Sequence, residues 1–507
     1  MPDRLFPSQV SRHQQRVSAE RDKCASVPTV DIDVSISLRQ YKLMVEVLIV
    51  CVGIVVVFFV VLAYAPQWWV GIVIVLTFTN FPAFIPPQFE VAGFAIYLHE
   101  IPLFLVAVKL FVTRPPNKST DLLASAFGGL AAAGALYGLL SGHDIQATMN
   151  DARGLIALTL CLFITGRTMQ TPDAYYALKA IRITLWVSFV LVLAGALGLI
   201  KLGGKSEDAS LAGAGFYTEA DVVRVLGPST HLASATLAVG VAMWAIHPSA
   251  FPRAKSYLIP ALGITVIGFS RNALVLIAVT LLLAPLINRS FRGLLRAGVI
   301  AGTVIVIFVV SGYFLSLTAG TPGLEYLRLV HSAYMGRVLE GLSSSARKYD
   351  VSSLYRQGEV DWLRRAVPGH EVWGRGFGFR YRPPFGIGFS ATSGTYYAHQ
   401  FYWWAVVKVG WVGMLALVSA FLTPVVYALF GAGRSALRSS TAAAIIGFMV
   451  TFTVVPIPED VQGAPVLGVL LGLALLPLTT GVRGQQGETA AAGGALSQHA
   501  ASAPTSR

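Results

Sequence analysis

The sequence predicts an all-α integral membrane protein with about 12 transmembrane helices and one long, partly helical extracytoplasmic loop. Three observations predict it. Of 507 residues, 55% are hydrophobic and 12% charged, with mean hydropathy +0.65, more apolar surface than a soluble chain could hide. Roughly 13 apolar runs, each near the ~20 residues that a spanning helix needs, are separated by short polar breaks. One polar stretch, 318–400, interrupts them with ten Arg or Lys against six Asp or Glu.

The runs fall at 42–64, 67–86, 92–112, 122–141, 152–167, 178–200, 230–247, 256–270, 271–287, 296–316, 404–429, 440–456 and 463–480. Lys and Arg in short connections mark the cytoplasmic side. Arg114 with Lys118, Arg167 with Lys179, Arg253 with Lys255, Arg289 with Arg292 and Arg296, and Arg434 with Arg438 all belong there. The segments that alternate with them, 142–151, 201–229, the 270–271 junction, 318–400 and 457–462, then lie outside. Long loops translocate largely regardless of charge, so the basic character of 318–400 is no objection. The basic N-terminus also belongs inside, which two full crossings between 42 and 86 would contradict. One of the first three runs is therefore expected to be re-entrant or broken. The expected organisation is a flexible cytoplasmic tail at 1–41, spans over 42–317, the outer loop at 318–400, spans over 401–480, and a disordered cytoplasmic tail at 481–507. Residues 1–41 are too long and polar to read as a simple signal peptide.

The net charge of +13 does not point to nucleic acid, because the excess sits in loops beside spans. Cys24, Cys51 and Cys161 give no disulfide framework and no metal-ligand spacing. Asp31-Ile32-Asp33 looks like a metal-binding carboxylate pair, but it lies in the tail on the side opposite the loop.

Arg271 is the first residue with chemical promise. It sits in Ser270-Arg271 within an apolar stretch of about 32 residues, which reads as two helices meeting at that point. Charge at membrane depth is costly and marks function by default. Arg224 lies just before the span that starts near Ser229, and Pro228 suits a helix start, a natural anion site. Within the loop, 323–342 has helical apolar spacing (Leu324, Leu327, Val330, Tyr334, Val338, Leu342), and a second helix is expected over 351–366. Arg356 and Glu359, three apart, read as a surface pair. Gly374, Gly376 and Gly378 read as a tight turn near a binding surface, followed by Arg380 and Arg382. Tyr397, His399 and Gln400 stand at the membrane edge before the aromatic run that starts at Phe401. Histidine titrates near neutrality and suits proton transfer, although a lone His is more often structural. His99 and Glu100 fall inside the third run, and Asp151 with Arg153 flank the fifth and are expected to pair locally.

Taken in order, these features resemble the O-antigen ligase and O-antigen polymerase superfamily. The features are Arg224-Val225-Leu226-Gly227 before a span, the Ser270-Arg271 break, and an outer-loop helix with Arg356 and Trp362. Gly374, Gly376 and Gly378, then His399, then Gly410-Trp411-Val412-Gly413 complete the series. The resemblance covers roughly 92–480 and is strongest in 224–287 and 347–413. It implies a GT-C-like glycosyltransferase in a bacterial cytoplasmic membrane, with its active site on the periplasmic or extracytoplasmic face. Such proteins move a glycan from undecaprenyl diphosphate to an acceptor glycan or glycolipid hydroxyl, with no cofactor, metal or nucleic acid. By this resemblance Arg224, Arg271 and either Arg356 or Arg347 would bind diphosphate. His399 would be the catalytic base, with Arg380, Arg382, Tyr397 and Gln400 as acceptor or loop contacts. The chain departs from the family pattern at Gln400, where Asn is common, and at Thr230-His231, where Pro-Asn is common. The loop then reads as a lid over a site whose floor lies in the spans. A transporter or flippase of a lipid-linked anion is the alternative from another class, using His99 and Glu100 as a pathway pair.

Overall fold

The structure is a computed structural model. It describes 64–476 except 86–87, 92–93, 204, 209–222, 252, 319–320, 322–323, 336–350, 385–392 and 432–433, together with positions 53, 56 and 60. The chain divides into two units, Met1–Val56 and Val57–Arg507, and the fold below belongs to the second. The runs at 42–64 and the tails therefore lie largely outside the described residues, as does Arg347.

The protein is a mostly helical membrane protein. Its helices are α1 (Trp69–Phe78), α2 (Glu100–Thr113), α3 (Lys118–Leu140), α4 (Ile145–Thr168), α5 (Asp173–Ala196), α6 (Pro228–Ile246) and α7 (Ala254–Ile267). They continue as α8 (Arg271–Ile287), α9 (Phe291–Leu317), α10 (Glu325–Tyr334), α11 (Val351–Ala366), α12 (Phe401–Phe430), α13 (Ala436–Thr451) and α14 (Ala464–Ala474). Six of these, α3, α4, α5, α6, α9 and α12, are long and apolar enough to cross a membrane.

Two antiparallel strand pairs accompany the helices. β1 (Gln88–Val91) pairs with β2 (Phe94–Tyr97), and β3 (Lys205–Asp208) pairs with β4 (Val223–Leu226), placing Glu207 opposite Arg224. The run expected as a span over 92–112 thus begins as a strand, and its helix starts only at Glu100. α1 and α2, of 10 and 14 residues, rise about 15 and 21 Å, short of the ~30 Å hydrocarbon core.

Position in the bundle follows residue size. α4 packs closely on α14, where Gly468 lies on Leu158 and Cys161 and Gly472 lies on Thr165, the small-residue contact that lets helices approach without a hydrophobic driving force. α6 is central, with 78% of its apolar window buried, and packs on α7, α8 and α13. α9 has only 11% buried and presents Val304, Ile305, Val309 and Phe314 outward, the composition of a lipid-facing helix.

The expected break at 270–271 is present. α7 ends at Ile267, and the Ser270 hydroxyl accepts the Ala273 N–H at 3.4 Å to cap α8. α6 begins where the Asn80 side chain accepts the Ser229 N–H at 3.2 Å and the Thr230 hydroxyl accepts the Gly227 N–H at 3.2 Å.

α12 is broken at Gly410, with φ 68° and ψ −179°, a conformation open to glycine alone. The break frees backbone groups, and the loop takes them up. Arg375 N and Gly376 N donate to Val407 O and Lys408 O, both at 2.8 Å, while Trp411 N and Val412 N donate to Glu371 O and Val372 O at 2.8 and 3.4 Å. Interrupted helices persist in membranes only where neighbours satisfy the freed groups. Gly410→Ala would drive a methyl group into the Val372–Trp373 backbone from a forbidden φ. It is expected to cost about 3 kcal/mol, read as a lower thermal unfolding temperature in detergent.

Gly374, Gly376 and Gly378 all have positive φ. They make the expected tight turn, and its contacts are with the bundle. Gly376 lies against Gly138 of α3, Gly378 against Thr148 of α4 and Gly374 against the Lys408 backbone, so the turn pins the loop to the bundle.

Candidate functional site

A cavity of about 320 Å3 opens where β4, the start of α6, the α7–α8 junction, the residues before α12, and the α13–α14 connection meet. Arg224, His231, Ser270, Tyr397, His399 and Asp460 line it. Residues 175 positions apart in sequence are thereby brought to one space.

Arg224 sits on β4, in register with Glu207 of β3. Its Nε donates to the Gly268 carbonyl at 2.9 Å, at the C-cap of α7. Arg271 opens α8 three residues on, and Ser270, Asn272 and Ala273 line the cavity at this positive helix end.

His399 is held by Glu359. The Glu359 carboxylate accepts the His399 backbone N–H at 2.7 Å, and its Oε2 lies 3.2 Å from His399 Nδ1. Glu359 is buried and comes from α11, 40 residues earlier. The geometry sets the imidazole so that Nδ1 faces the carboxylate, leaving Nε2 as the acceptor atom. The Tyr355 and Tyr397 rings meet the imidazole edge-on, at 5.9 and 5.7 Å. The Tyr381 hydroxyl shares its hydrogen between Glu359 Oε1 at 3.0 Å and the Tyr397 carbonyl at 2.8 Å. Burial, and then the Glu359 charge, raises the Tyr381 pKa far above the ordinary phenol value, so it stays a donor. Tyr397 is likewise raised, by burial and by Asp460, Glu459 and Glu359.

Glu359 therefore corrects the expected surface pair with Arg356. Arg356 lies one turn earlier on α11, half-buried, and its charge acts on Tyr397 from outside the set of cavity-lining residues. Arg382 is buried, donates to the Tyr355 hydroxyl at 2.6 Å and so supports the ring beside His399. Arg380 is exposed. Gln400 caps α12, where its carbonyl accepts the Trp404 N–H at 3.0 Å.

Two expected pairs are also corrected. Asp151 and Arg153 lie within α4 and do not pair with each other. Asp151 forms a buried ion pair with Lys408 of α12 at 2.5 Å, and Asp151 Oδ2 accepts the Gly378 N–H at 2.6 Å. Lys408 also donates to the Phe379 carbonyl at 2.8 Å. Arg153 pairs with Glu100 at 2.8 Å, and Glu100 accepts the Tyr97 N–H at 2.9 Å. Glu100 thus closes the β2–α2 turn while paired with Arg153.

Sequence reasoning missed His231 and Asp460, whose Nε2 and Oδ2 lie 3.4 Å apart in the cavity. It also missed Glu459, which is buried beside them. Burial, reinforced by the Asp151 charge, pushes the Glu459 carboxyl well above its ordinary value. The folded pKa is raised, so the stability this group contributes is full below the unfolded value and is lost as pH rises through the folded one. Glu459→Gln is expected to melt with the wild type near about pH 4. Near about pH 8 it should be more stable by about 1–3 kcal/mol, measured by thermal unfolding across pH.

Compared with protein-family models and with curated proteins, the chain matches none.

Proposed function

We propose that this chain is a glycosyltransferase of the O-antigen ligase and polymerase type. It would move a glycan from undecaprenyl diphosphate to an acceptor glycan or glycolipid hydroxyl on the outer face of a bacterial cytoplasmic membrane. The proposal includes a GT-C-like bundle of about 12 crossings. One observation carries the reading: Arg224, Ser270 with Asn272 at the start of α8, and His399 with its buried Glu359 partner come together at one cavity, with Arg271 between Ser270 and Asn272 in the chain but outside the lining.

The chemistry follows from those groups. The acceptor oxygen attacks the anomeric carbon as the bond to the diphosphate oxygen breaks, inverting the centre. The acceptor proton passes to His399 Nε2, and Glu359 stabilises the imidazolium that forms. The bonding electron pair leaves on the diphosphate, where the Arg224 and Arg271 guanidinium groups and the α8 N-terminus stabilise the developing charge. Arginine binds phosphate through two donors at once, which lysine does not.

The test is reconstitution in liposomes with an undecaprenyl-diphosphate glycan and a panel of acceptors. Arg271→Ala is expected to raise the donor KM about tenfold to a hundredfold. Donor crossing the bilayer without transfer to any acceptor, or transfer indifferent to Arg271, would sink the reading.

A further inference from the structure

The cavity has two histidines, each facing a carboxylate from a different element. His399, backed by the buried Glu359, lines it, and so do His231, from the first turn of α6, and Asp460, from the α13–α14 connection. The second pair is built, not incidental. The Asp460 carboxylate accepts the Gly463 N–H at 3.1 Å and the Gln462 N–H at 3.3 Å, which fixes it at the start of α14. Both side chains remain about a quarter exposed, His231 at 25% and Asp460 at 28%, so a ligand in the cavity reaches them.

The lining is of mixed charge. Arg224 of β4 and the α8 N-terminus make the first side cationic. At the α13–α14 connection Asp460 makes the second anionic, and Gln462 and Thr451 add uncharged hydrogen-bonding groups to the lining. A phosphate belongs on the first side and is repelled by the second. An uncharged sugar fits the second, because its hydroxyls donate to carboxylate and imidazole acceptors and accept from the Gln462 amide.

We propose that His231 and Asp460 form the acceptor-binding wall of the cavity, and that they select a sugar with uncharged hydroxyls over a phosphorylated one. The assignment rests on the transferase reading for the word acceptor, while the sugar preference stands on the cavity's own charge. His231 hydrogen-bonds one hydroxyl of the bound sugar, and Asp460 holds the imidazole and excludes anions. His399, which also lines the cavity, takes the proton of the attacking hydroxyl.

Saturation-transfer NMR on the full-length protein in detergent tests this with methyl α-D-glucopyranoside and its 6-phosphate. The wild type is expected to favour the neutral glycoside by about tenfold. His231→Gln should weaken the glycoside signal about tenfold, and Asp460→Asn should narrow the discrimination against the phosphate, an effect that loose packing would not produce. Thermal melts confirm that each variant is folded, and His231→Asn serves as the second variant should the first fail to fold. Equal binding of both sugars to the wild type, binding of neither, or variants that change neither signal would each overturn the proposal. Undecaprenyl diphosphate is titrated into the same samples. Arg271-dependent lipid binding without a glycoside preference defeats this inference alone. Glycoside preference without lipid binding supports the sugar wall and defeats the transferase reading.

Discussion

His399→Ala is expected to lower the transfer rate by about 10²–10⁴-fold while leaving the donor KM near that of the wild type. In the proposed mechanism the imidazole at the cavity accepts the proton, so its loss would remove an interaction that matters as the hydroxyl attacks. Glu359→Gln should give a smaller loss, at least about tenfold, because an amide in that place can donate its NH2 to Nδ1 and so leave the ring proton on Nε2, which then cannot accept one. The two effects separate a reacting group from the group that orients it. Turnover in liposomes, followed as conversion of the lipid-linked glycan, reads both. A donor KM that rises while kcat holds would move His399 from proton transfer to donor binding.

Lys408→Met is expected to destabilise the protein by about 3–5 kcal/mol, since it leaves the Asp151 carboxylate buried without its cation. Removing both charges in Asp151→Leu with Lys408→Met should recover much of that loss, because a buried pair gains little over apolar side chains of similar size. Thermal unfolding in detergent measures each step. The single variant should also free the Phe379 carbonyl and loosen 375–382, seen as faster proteolysis there. Double and single variants that melt alike would mean that the pair carries no special cost.

Much of the fold was legible in the sequence because hydropathy and glycine or proline punctuation are local signals. The helix expected over 351–366 is α11, Val351–Ala366, and the break at Ser270-Arg271 is where α7 gives way to α8. The start of the chain's third run was misread because apolar residues such as Phe94 and Ile96 suit a strand as well as a span. Arg224 and His399 emerged from the sequence because each stands at the edge of an apolar run. Their partners did not. Glu359 lies on the same helical stripe as Leu363 and Ala366, all buried, so its spacing held the clue that Arg356 three residues earlier obscured. Lys408 was a lone charge inside an apolar run, the same signal that picked out Arg271. Asp460 and His231, 229 residues apart, meet only through the packing of α13 and α14 on α6.

The exchange of backbone bonds at Gly410 bears on how the cavity is filled and emptied. Segment 371–378 is riveted to α12, and its Gly378 N–H is tied to the Asp151–Lys408 pair. Raising this segment as a cover would break five backbone hydrogen bonds, four to α12 and one to Gly134 of α3, and uncover a paired charge together. It acts as a buttress between α12 and the helices α3 and α4, and not as a cover that lifts.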